Sequence, residues 1–141
     1  ICCRALDDRV QHLTCIPDGE HHIITGRARG GKVQVTLCWV TAGACGQESS
    51  IEVRKVSATK VTFQITTTCE HIQALTEELG EVDVGREMSC PLTETRVYAL
   101  ATKHVCRNSC VVPTAILKTM EAAAGIFLPV DCRIEFIEGA I

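Results

Sequence analysis

From Lys32 to Val40 the chain alternates, with Val33, Val35, Leu37 and Trp39 on one side and Gln34, Thr36 and Cys38 on the other, a period that predicts a strand. Two further strands are expected at Ser50 to Val56 and Lys60 to Thr67, with Ile51, Val53, Val61, Phe63 and Ile65 as the buried set. The period then changes. From Cys69 to Leu79, Ile72, Leu75 and Leu79 recur at helical spacing, Gly80 closes the segment, and Thr67 and Glu70 have the spacing of a capping box. Glu81 to Leu92 carries no period and reads as an irregular connection. A second helix is expected from about Thr95 to Val105, with Val97, Leu100, Ala101 and Val105 inward. The third has Pro113 in its first turn, an apolar stripe of Ile116, Leu117, Met120, Ala123 and Ala124, and Gly125 and Pro129 to stop it. Alternation returns at Val130 to Ile137, where Val130, Cys132, Ile134 and Phe136 predict a last, buried strand. Strands first, helices next and a closing strand imply the α+β class, an antiparallel sheet with about three helices packed on one face.

The N-terminal stretch reads differently. Leu6, Val10 and Leu13 permit a turn or two of helix in an arm flanked by Cys2, Cys3 and Cys15. Pro17-Asp18-Gly19 is a turn, and a strand through His22 to Thr25 reaches Gly30-Gly31, which suits a tight hairpin. Two parts are therefore expected, a cysteine-rich arm and hairpin over 1–31 and a single α+β domain over 32–141.

A chain of 141 residues, 46% of them hydrophobic, can bury one core without needing disulfides. A net charge of −3 gives no electrostatic case for nucleic acid or an anionic membrane, and one Trp, one Tyr and three Phe offer few base-stacking platforms. No apolar run approaches the roughly 20 residues that span a bilayer, so a soluble chain without nucleic-acid or membrane partners is expected. The sequence opens on Ile1, as after processing or from a start part-way through a gene product, and leaves no signal peptide to read.

Ten cysteines change the picture. That density implies disulfides in an oxidising compartment or thiolate ligation of a metal in a reducing one. Cys69 falls where a strand gives way to a helix and Cys110 just ahead of the helix opened by Pro113, so both are expected near electropositive helix starts, where a thiol's pKa falls. Cys106 precedes Cys110 by four positions, Cys45 lies in a glycine-bearing loop, and His104 offers a nitrogen. Cys45, Cys69, Cys106 and Cys110, with His104 beside them, are the candidate ligands for zinc or an iron–sulfur cluster. Cys38, Cys90 and Cys132 read as small buried hydrophobes or as paired cysteines.

Other residues give no reaction. His21 and His22 would point to opposite faces of a strand, Arg27, Arg29 and Lys32 flank a hairpin tip, and Glu77, Glu78, Glu81 and Asp83 form a solvated run at a helix end. No Ser/His/Asp set and no small-molecule substrate can be read, so the expectation is a non-enzymatic protein.

The stretch Ala101-Thr-Lys-His-Val-Cys-Arg-Asn-Ser-Cys-Val-Val-Pro-Thr-Ala-Ile-Leu-Lys-Thr-Met-Glu-Ala-Ala-Ala-Gly, followed by Leu128-Pro129, resembles the C-terminal signature of a small uncharacterised family of anaerobic bacteria and archaea. Cys45-Gly46 and Thr68-Cys69-Glu70-His71 match its other cysteine positions, so the resemblance covers roughly residues 41 to 138. It implies a fold and a cysteine trio but no activity. The family pattern has a basic or His residue at the place of Arg107 and no cysteine at 106; if that His is a ligand in relatives, Cys106 substitutes for it here. More distantly, Ser109-Cys110 before Ala-Ile-Leu-Lys is similar to the Thr-Ser-Cys-Pro-Asp (TSCPD) motif domain, found alone or attached to ribonucleotide reductases and suspected of binding metal. The spacing of Cys2, Cys3 and Cys15 is similar to the connector of spore-appendage fibre subunits, whose arms cross-link neighbouring subunits.

Two functions follow. The first is a cytoplasmic cysteine-site module whose core thiolates bind zinc or an iron–sulfur cluster. The second is an extracellular, self-associating filament or coat subunit joined by intermolecular disulfides through Cys2, Cys3 and Cys15.

Overall fold

The computed structural model describes residues 35–139; the arm and hairpin expected over 1–31 lie outside them. Four strands form one antiparallel sheet in chain order: β1 (Val35–Thr41), β2 (Glu48–Lys55), β3 (Lys60–Thr67) and β4 (Glu81–Asp83). Between β3 and β4 comes α1 (Glu70–Leu79), and after β4 come α2 (Val84–Ser89), α3 (Arg96–His104) and α4 (Val112–Ala124). Fold class and the three longer helices are as expected.

Register decides which residues make the core. Ile51 on β2 lies opposite Cys38 on β1 and Ile65 on β3, while Val53 lies opposite Thr36 and Phe63. Side chains alternate across a strand, so the fully buried Ile51 and Val53 commit those partners to the helix-covered face. Helix α4 covers β1 and β2, and α1 covers β3 and packs on α3. Their apolar stripes meet the sheet through Ile72, Leu75, Leu79, Ile116 and Met120, all at most 1% exposed. Truncating one of these to Ala would cost about 2–5 kcal/mol.

The same register decides which side of β1 is buried. Leu37 and Trp39 pair with Glu52 and Ser50 on the outer face and are 51% and 54% exposed, whereas Cys38 and Val40 turn toward the core. Alternation marks two faces in a strand but does not say which is buried; the neighbouring strand says that.

The stretch 81–92 is not irregular. Gly80, at φ 59°, breaks α1 so sharply that Glu81–Asp83 pairs with β3, and the Asp83 carboxylate then accepts from the Arg86 N–H at 2.9 Å to open α2. The capping box is absent: Cys69 occupies the N-cap of α1 without a side-chain bond, and Glu70 points to solvent. Thr67 instead accepts from the Cys69 N–H.

Two polar groups lock the helices together. The Glu87 carboxylate, 5% exposed, accepts from the N–H groups of Arg96 and Val97 at 3.0 and 2.9 Å, filling donors that the start of α3 leaves open. Across the same junction the Arg96 guanidinium donates to the carbonyls of Leu79 and Glu78 at the end of α1. Charge of the favourable sign thus sits at each helix end.

The expected strand Val130–Ile137 does not form. After Gly125, at φ 77°, residues 128–137 run without regular structure, and Val130, Cys132, Ile134 and Phe136 are exposed. No strand among β1–β4 takes this segment as a partner.

Candidate cysteine site

Lys55 Nζ reaches the Ala124 carbonyl at 3.5 Å, placing the C-terminal end of α4 at the Lys55 end of β2. The start of α4, with Cys110 just before it, therefore lies toward the opposite end, where β2 begins at Glu48. There β3 also ends and α1 begins. The β1–β2 turn, carrying Cys45 in a short 3₁₀ segment closed by Gly46 at φ 68°, belongs to that same end.

Hydrogen bonds join these pieces. Thr68 N–H donates to the Glu48 carbonyl and Glu48 N–H to Thr68 Oγ1, both at 3.1 Å. Thr67 Oγ1 donates to the Glu48 carbonyl at 3.1 Å, lies 2.8 Å from Ser49 Oγ and accepts from Cys69 N–H at 3.1 Å. Gln73 Nε2 closes the junction by donating to the Thr67 carbonyl at 3.1 Å. The turn bearing Cys45 and the N-cap residue Cys69 are thus held through one knot, although 24 positions separate them in sequence.

Cys110 is positioned by its own loop. Its N–H donates to the Arg107 carbonyl at 3.1 Å, which folds Cys106 to Cys110 into a turn between α3 and α4. Burial pushes the Cys110 thiol above its ordinary value of 9.0. The Val112 N–H pulls it back, and the nearby sulfurs of Cys69, Cys106 and Cys45 push it further up. The lowering expected from a helix start is therefore overturned at Cys110, because desolvation and like neighbours outweigh one backbone donor. Burial is the largest of these causes, and Cys69, Cys106 and Cys45 are close enough to Cys110 to add to it.

Cys69 and Cys110 are half-buried, while Cys45 and Cys106 are exposed. A cleft of about 260 Å³ opens beside Cys110 between Tyr98, Val105 and Arg107. Among the described residues, no three His, Cys, Asp or Glu side chains stand as a preformed metal centre, and the seven cysteines are free thiols.

His104 is engaged elsewhere. Its Nε2 lies 2.8 Å from Glu78 Oε1, and Lys103 Nζ donates to the same carboxylate at 2.6 and 2.8 Å. Of the acidic run read as solvated, Glu78 thus ties α1 to α3, Glu81 pairs with Lys60 at 2.7 Å and Asp83 caps α2. Cys38 packs against the core and Cys90 is half-buried, as small hydrophobes do, but Cys132 is exposed. Cys2, Cys3 and Cys15 lie outside the described residues. Glu87 is the structural residue that sequence reasoning missed; its only signal was a carboxylate nine positions before a helix start, which no local pattern flags.

These features define a small α+β domain with Cys45, Cys69 and Cys110 at one end of its sheet. Residues 35–136 match the model of the Family of unknown function (DUF6951), and the chain belongs to that family. No curated protein and no solved structure matches the chain.

Proposed function

We propose that this protein is a non-enzymatic cysteine-site module in which Cys45, Cys69, Cys106 and Cys110 bind zinc or an iron–sulfur cluster. The observation that supports the reading is that the turn bearing Cys45 is tied to the N-cap residue Cys69 at the end of the sheet where α4 begins after the half-buried Cys110, with Cys106 four positions before it. Crowded thiols resist ionisation together, and a cation relieves that repulsion by taking them as thiolates. An all-sulfur donor set suits zinc or iron–sulfur chemistry and not magnesium or calcium. When bound, the metal would fasten the β1–β2 turn and the α3–α4 turn to the start of α1. His104 stands outside this set because Glu78 occupies its Nε2. The likeness of the Ser109-Cys110 segment to the TSCPD motif domain supports the same reading, which places the working protein in a reducing compartment.

Metal analysis of the full chain, purified without oxygen, tests the proposal. Stoichiometric zinc, or iron with sulfide, is expected, with thiolate-to-metal absorption. Protein that carries neither, and takes up neither on reconstitution, would overturn it.

A further inference from the structure

The connection between α3 and α4 carries a cysteine on either side of one tight turn. After α3 ends at His104 the chain bends at Cys106, and Asn108 and Ser109 form a turn closed by the Cys110 N–H on the Arg107 carbonyl at 3.1 Å. Such a closure holds the Cα atoms of Arg107 and Cys110 within about 7 Å, and Cys106 stands one residue beyond. A disulfide spans Cα atoms about 4.4–6.8 Å apart. Both residues are free thiols, Cys106 exposed and Cys110 half-buried against the core, and the Cys106 sulfur is near enough to bear on Cys110. Cys69 and Cys45 are held differently. A hydrogen bond to Thr67 fixes the backbone of Cys69 at the start of α1, and Cys45 belongs to a 3₁₀ segment closed by its own backbone bond. Cys106 and Cys110 share the shortest loop of the four, so joining them costs the least closure entropy.

The geometry points to Cys106 and Cys110 as a dithiol–disulfide pair that closes across this turn when a low-molecular-weight disulfide is present. The pairing regulates the proposed metal site and rests on that reading in one respect: a closed pair has no thiolate left to give, so metal is held only by the reduced chain. In the first step the exposed Cys106 thiolate attacks one sulfur of the small disulfide, and the other sulfur leaves as a thiolate. Cys110, after losing its proton to solvent, then attacks the Cys106 sulfur of the mixed disulfide and expels the second small thiolate. Two electrons pass from the cysteine pair to the oxidant, and the two protons lost by the pair are balanced by those the released thiolates take up. Cys106 is the entry point because solvent reaches it. Cys110 resolves the intermediate because the turn keeps it at a high effective concentration.

Trypsin cuts after Lys103, Arg107 and Lys118, so the two cysteines fall on separate peptides, 104–107 and 108–118, that stay joined only by this disulfide. The full chain, reduced and metal-free, is equilibrated in glutathione buffers of rising oxidised fraction, alkylated and digested. The joined peptides should be the main product involving either cysteine, and dithiothreitol should separate them. Cys106→Ser and Cys110→Ser should each abolish the product. A main link from Cys110 or Cys106 to any other cysteine, or both peptides recovered as alkylated thiols, would overturn the proposal. Zinc-loaded chain should release its zinc in step with the link, with a loss of affinity beyond the roughly 100-fold of an outer-shell change. Zinc retained by the linked chain would overturn the regulation. A reduced chain that takes up no zinc sinks the metal reading instead, and the peptides still decide the pair.

Discussion

The Thr67 hydroxyl holds the backbone of Cys69 at 3.1 Å and the β2 strand through Glu48 and Ser49, so one side chain sets where α1 starts relative to the Cys45 turn. Its one hydrogen and two acceptor positions are all in use. Thr67→Val keeps the shape and removes every one of these bonds. It is expected to cost about 1–3 kcal/mol of stability by denaturant titration. Metal affinity should fall about 10–100-fold, as for other groups that orient a ligand.

Cysteine replacements separate site from packing. Cys69→Ser or Cys110→Ser should lower metal affinity by more than the roughly 100-fold expected of an outer-shell change, and the loaded protein should lose thermal stability with the metal. Cys90→Ser, outside the proposed ligand set, should leave metal content unchanged. Elemental analysis and melting curves of the three variants decide this; equal metal content in all three contradicts the assignment.

Glu87 is a buried carboxylate bonded to two N–H groups at the start of α3. Glu87→Ala should destabilise the chain by about 1–3 kcal/mol by urea titration, because two donors lose their acceptor in a buried place. Glu87→Gln retains one carbonyl oxygen and should lose less.

Glu78 gives the acid limb of stability. Hydrogen bonds from Lys103, then His104, hold its carboxyl below the ordinary value of 4.5. The folded chain therefore binds this proton more weakly than the unfolded one. The resulting stabilisation is present above pH 4.5 and is lost as pH falls through the lowered folded value. Glu78→Gln should flatten this part of the profile by a small amount, since the pair is exposed and salt-screened. Melting temperatures of both proteins between pH 7 and pH 3 check it, and parallel curves would count against the ion pair.

What the sequence by itself determined is the local part. The two-residue period of Lys60–Thr67, the stripe of Ile72, Leu75 and Leu79 and the stop at Gly125 follow from backbone geometry acting over one or two turns. The cysteines were legible as a candidate set because unusual residues at element junctions stand out without any contact information.

Only the tertiary structure decided the rest. Trp39 faces outward and Val40 inward because β2 fixes the register, and Glu81–Asp83 becomes a strand because β3 offers it an edge. Val130–Ile137 has the pattern of a strand yet stays unpaired among the described residues, since strand structure needs a partner that alternation alone does not supply. Likewise, His104 goes to Glu78 because the end of α3 that carries it packs on α1.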